Sequence, residues 1–124
     1  MPGMRDPDSI RPGAWLAAFG ALSAGLAVAL AAYAAHAAQG ADQSRLQTAA
    51  AFAFGHGLAL AALAPAQVQP LARWALRGIG GGALLFAGSL VGGVLGHWPT
   101  TLAPLGGLLM IGGWLALAFA LLRR

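Results

Sequence analysis

Four long apolar runs, almost free of charge, fill this chain and leave only short polar breaks between them. A transmembrane helix needs about 20 consecutive apolar residues, and the runs cover approximately residues 14–38, 45–66, 74–96 and 102–122 of the 124. Little chain is left over for an aqueous domain. The charged share is 8% and the mean hydropathy +0.74, against about 25% charged residues in soluble domains. Such a chain cannot cover its own surface in water, so a soluble enzyme is excluded first. The expected fold is all-α, a membrane bundle of four antiparallel transmembrane helices.

Local signals mark the ends of the spans. Residues 1–13 hold four of the ten charged residues and three prolines, so they form a polar tail rather than a core element. Pro12 suits a helix start, where its missing N–H would be unpaired anyway. Ser44 and Gln47 have the spacing of a capping box, which starts the second helix near Arg45. Pro65 and Pro70 then close it, because neither can continue the backbone ladder, and residues 67–73 form the connector. Arg77 lies one turn inside the third span, within reach of the headgroups. Thr101 is placed to cap the fourth span with Pro104 in its first turn. The intervening loop, residues 97–101, is short enough to make spans three and four antiparallel neighbours.

Orientation follows from the arginines, since cytoplasmic loops retain basic residues during insertion. Arg5, Arg11, Arg73, Arg77, Arg123 and Arg124 fall on one side of a four-span layout, and Arg45 alone on the other. This predicts a cytoplasmic tail at 1–13, a cytoplasmic connector between spans two and three and a cytoplasmic end at 123–124, with loops 39–47 and 97–101 outside. A secretory signal peptide is the competing reading of the first run. At about 22 residues before His36, that run exceeds the 7–15 of a signal core.

The net charge of +4 and pI of about 11.6 do not indicate nucleic acid, because the arginines are scattered and form no patch. With no cysteine, disulfides and thiolate chemistry are absent. The expected surroundings are the lipid bilayer and either a second copy or another membrane protein.

Small residues are the expected means of helix association in lipid. Ala17, Ala21, Gly25 and Ala29 form one four-residue stripe, and Ala51, Gly55 and Ala59 another. Gly88, Gly92 and Gly96 make a doubled GxxxG, and the fourth span carries Gly106, Gly107, Gly112 and Gly113. These are expected to be packing positions. The alternative is a ligand or ion approaching bare backbone, as in discontinuous transporter helices.

No Asp or Glu lies inside a span, which argues against a carboxylate proton relay. The candidate polar site is His36, His56, Ser89 and His97, with all three histidines expected in the outer half. Two facing histidines could ligate haem or a metal, whereas separate ones would each bond a neighbouring helix or the interface. No metal site and no cofactor is assigned. Ser23, Thr48, Thr100 and Thr101 read as helix-bonded hydroxyls or caps. Trp15, Trp74 and Trp98 fall near span ends, where indoles favour the headgroup zone, while Trp114 is mid-span. No Ser–His–acid set, phosphate loop or HExxH motif is present, so no enzyme is indicated. A small transporter or channel, or a histidine-ligated cofactor protein, stands as the alternative to a structural or accessory role.

The strings AAYAAHAAQ (31–39), TAAAFAFGHGLALAAL (48–63), LLFAGSLVGGVLG (84–96) and APLGGLLMIGGWLALA (103–118) resemble the bacterial YgdD-like family of small four-span inner-membrane proteins. That family is catalogued as domain of unknown function 423 and uncharacterised protein family 0382. Its most specific parts here are Pro104–Gly107 with Gly113 and Trp114, the string from Phe86 to Ser89, and the pair His36 and His56. The chain departs from the family before His56, where Ala51, Phe52 and Gly55 replace the glutamine and tyrosines that the resemblance implies. The resemblance implies fold and location and brings no activity.

Overall fold

The computed structural model describes residue 3 and residues 9–123. Arg5 and Arg124, which enter the charge count above, lie outside the described residues. Four helices follow in chain order among the described residues: α1 (Ala14–Ala37), α2 (Gly40–Leu63), α3 (Pro70–Leu95) and α4 (Ala103–Leu122). A single 3₁₀ turn, Ala64–Ala66, extends α2. All four are long and apolar enough to cross a membrane.

Two helix starts differ from the sequence expectation. The second helix begins at Gly40 rather than Arg45, and Ser44 and Gln47 are exposed positions inside it instead of a capping box. Gly40, at φ +62°, takes the left-handed conformation that glycine adopts at little cost. The chain therefore reverses across Ala38 and Gln39, and Gln43 Nε2 donates to the Ala34 carbonyl at 3.1 Å. The polar stretch 39–47 is thus largely the first turns of a helix. The third helix begins at Pro70 rather than Trp74, because a proline at the first helical position is already set to the helical φ. Pro70 opens α3 and does not close α2, and Arg77 lies two turns inside. Thr101 does not cap α4; the N-cap is Leu102, without a side-chain bond, and Pro104 occupies the first turn as expected.

The helices α1 and α2 form one antiparallel hairpin, α3 and α4 form another, and the two join mainly through α2 and α3. The helices α1 and α4 share no comparable interface. The core is built largely of alanine, with Leu46, Leu60, Leu76 and Ile79 as its largest fully buried side chains. One buried cluster gathers Leu60, Ala64, Ala72, Ala75, Leu76, Ile79, Leu117 and Ala120 at the arginine-bearing end. Bulky residues such as Leu108, Leu115 and Leu122 point outward. In water that surface would be an aggregation hazard; in hydrocarbon it is the solvated face.

Candidate functional site

The three histidines do not converge. His36 is exposed in the last turn of α1, and His97 is exposed in the α3–α4 loop at φ 55°. His56 lies thirteen residues beyond Gln43, the residue that bonds the end of α1, which is about 20 Å along the helix at 1.5 Å per residue. Because α2 starts earlier than expected, His56 sits past the middle of the span from Gly40 to Ala66 and not in the outer half.

His56 has its own partners. Its ring stacks on Phe52 at 5.6 Å between centroids and lies 5.9 Å from Trp114 of α4, and Phe52 in turn meets Phe86 of α3 at 4.7 Å. Nδ1 is 2.8 Å from the Phe52 carbonyl oxygen. A carbonyl can only accept, so Nδ1 carries the proton, and in the neutral ring Nε2 keeps the lone pair. The histidine therefore links α2 to α4, and the aromatic cluster reaches α3 through Phe52 and Phe86. Among the described residues no three His, Asp or Glu side chains gather into a potential metal-holding group.

Ser89 is placed differently. It is 8% exposed, and its Oγ is buried without a hydrogen-bond partner among the described residues. It lines a cavity of about 600 Å³ between α3 and α4 whose other walls include Gly81, Leu85, Trp98 and Leu102. A second cavity, about 340 Å³, lies among α1, α2 and α3, lined by Phe19, Ser23, Leu26, Gly57 and Ala87. Both are overwhelmingly apolar.

The glycines divide into two sets. A Cβ on Gly20 would lie 2.5 Å from the Gly57 carbonyl oxygen, and one on Gly57 would lie 2.5 Å from the Gly20 oxygen. A Cβ on Gly106 would lie 2.5 Å from Phe86 N and 2.7 Å from Gly82 O, and one on Gly113 would lie 2.6 Å from Ile79 Cγ1. At these points backbone meets backbone, and only glycine permits it. Gly92 and Gly96 lie under the Trp98 indole rather than against another helix. Gly25, Gly55, Gly88 and Gly107 correct the expectation of packing: an added Cβ would meet no heavy atom within 4 Å, so these four do not pack within the chain.

The arginine-bearing end holds the charged features. Arg73 Nε donates to the Gln67 carbonyl at 3.1 Å, and the Arg77 guanidinium lies 4.9 Å from the centroid of the Trp74 ring. At the opposite end Arg45 and Asp42 are 3.9 Å apart and more than half exposed, a pair that contributes little.

Comparison with known proteins gives one family match. A family model described as a protein of unknown function (DUF423) matches residues 30–107. No curated protein and no solved structure matches the chain.

Proposed function

We infer a role from a fixed premise: this chain belongs to the DUF423 family of proteins of unknown function and carries four membrane-capable helices. That role is a non-enzymatic structural or accessory component of the bacterial inner membrane, with both termini on the cytoplasmic side.

The observation that carries this reading is the dispersal of polar groups along the helices. Intramembrane ionisable residues mark a transport path when they gather at a cavity or relay. Here His56 is engaged with Phe52 and Trp114, His36 and His97 are exposed at helix ends, and the two cavities beside Ser23 and Ser89, within the spans, have apolar walls. Close backbone contacts at Gly20 and Gly57 and at Gly82 and Gly106 support a packing role for the glycines. The orientation is supported by Arg11, Arg73, Arg77 and Arg123 sharing one end, against Arg45 at the other.

Crosslinking of the full-length chain in native membranes tests the role. Crosslinks to itself or to another membrane protein are expected. A solitary monomer at every expression level would count against it.

A further inference from the structure

We propose that the arginine-bearing end of this protein contains a binding site for an anionic phospholipid, with the lipid phosphate held by Arg11, Arg73 and Arg77. The inference rests on insertion into a bilayer and not on the accessory role above.

Two cavities meet at this end. One, about 490 Å³, lies between the start of α1 and the first turns of α3 and is lined by Trp15, Leu16, Phe19, Arg73, Leu76 and Arg77, among others. The other, about 470 Å³, lies between the segment before α1 and the α2–α3 link and includes Arg11, Pro65, Val68 and Arg73. Pro12 and Arg73 line both, so Arg73 stands between them with one further arginine in each.

Among the described residues the charge here has no carboxylate partner. Asp42 is the only described carboxylate, and it lies at the start of α2, at the far end of the helices. None of the three arginines forms an ion pair among the described residues. Three guanidinium groups gathered at one end attract an anion. Arg73 is also held in place: its Nε is occupied by the Gln67 carbonyl, and Gln67 itself is 6% exposed. This orients the fork while directing the remaining N–H groups elsewhere, and a forked guanidinium matches the oxygens of a phosphate.

The surroundings select a lipid over a free ion. Trp15 and Trp74 are both highly exposed beside the arginines, as indoles at the headgroup level are. Leu16, Phe19 and Leu76 extend the first cavity as an apolar wall toward the membrane interior, where an acyl chain would lie. Basic pockets between membrane helices are a recognised lipid-headgroup architecture. Inorganic phosphate would use the arginines and leave that wall empty.

The test is native mass spectrometry of the full-length protein in detergent, supplied with equal amounts of phosphatidylglycerol and phosphatidylcholine. Phosphatidylglycerol adducts are expected in several-fold excess. Each of Arg73→Gln and Arg77→Gln should weaken this preference roughly five-fold. Arg73→Lys should retain part of it, and Arg45→Gln at the opposite end should leave it unchanged. Size-exclusion profiles and far-ultraviolet circular dichroism of each variant establish that it is folded before its adducts are compared. Equal adducts of both lipids would overturn the proposal, as would an Arg45→Gln loss equal to that of Arg73→Gln. Displacement of phosphatidylglycerol by an equal concentration of inorganic phosphate would reassign the site to the free ion and overturn the lipid.

Discussion

The contact between Gly20 and Gly57 allows a quantitative prediction. An alanine at either position places a methyl 2.5 Å from a carbonyl oxygen of the facing helix, and at Gly20 also 2.7 Å from Leu60 Cβ. The optimal separation of non-bonded carbons is about 3.5–4.0 Å, so α1 and α2 must part by roughly 1 Å. Neither backbone can retreat locally, because each is inside a hydrogen-bonded helix. Overpacking of this kind costs about 1–3 kcal/mol. Replacing glycine in a helix returns about 1 kcal/mol of propensity, which leaves a net loss of up to about 2 kcal/mol for Gly20→Ala or Gly57→Ala, on the opposite side of the parent from a clash-free glycine replacement.

The double variant discriminates further. A single separation of the helices relieves both clashes, so the two effects should not add, and the double variant should resemble one single variant to within about 1 kcal/mol. Gly25→Ala and Gly55→Ala serve as controls on the same two helices. Their added methyls meet no heavy atom of another element within 4 Å, so only the propensity term remains, and a gain of up to about 1 kcal/mol over the parent is expected. The measurement is unfolding by sodium dodecyl sulfate in mixed micelles, followed by tryptophan fluorescence. Equal stability of all four single variants would refute the reasoning, as would additive losses at Gly20 and Gly57.

Two other predictions use the opposite end of the helices. Gly92→Leu would drive its side chain into the Trp98 indole and should lower stability by about 2 kcal/mol, within the range for overpacking; adding Trp98→Ala should restore most of the loss in the same unfolding assay, whereas an unchanged loss would place the clash elsewhere. The chain has no cysteine of its own, so a cysteine introduced at Asp42 should react with a membrane-impermeant thiol reagent in intact cells while one at Val68 should not, and the reverse pattern would invert the proposed orientation.

The helical pairing has a regularity that spacing alone could have disclosed. The buried positions of α4 are Ala103, Gly106, Met110, Gly113, Leu117 and Ala120, alternating steps of three and four. Helix α3 shows the same steps through Ala72, Ala75, Ile79 and Gly82, and α2 through Gly57, Leu60 and Ala64. This is the period of about 3.5 that keeps one seam facing a partner. Tracking a four-residue GxxxG period instead selects Gly25, Gly55 and Gly88, which drift off that seam and face outward. In α1 the buried residues are Gly20, Ala24, Ala27 and Ala34, whereas the stripe through Ala21, Gly25 and Ala29 is exposed.

What the sequence settled by itself was the number of helices and their ability to span a membrane. That followed from solvent physics: long apolar runs almost free of charge have only one way to satisfy their backbone in hydrocarbon, which is within each helix. The helix ends set by Pro104 and by the short loop before α4 were also legible, because they depend on neighbours in the chain. The start of α2 was not, because Gly40 and the bond from Gln43 to Ala34 act between two helices. The faces of the glycines and the separation of His36 from His56 were likewise decided only by tertiary structure. In a helix where nearly every residue is small or apolar, lipid solvates all faces alike, so composition cannot identify the buried one. That choice falls to the close fit of one backbone against another.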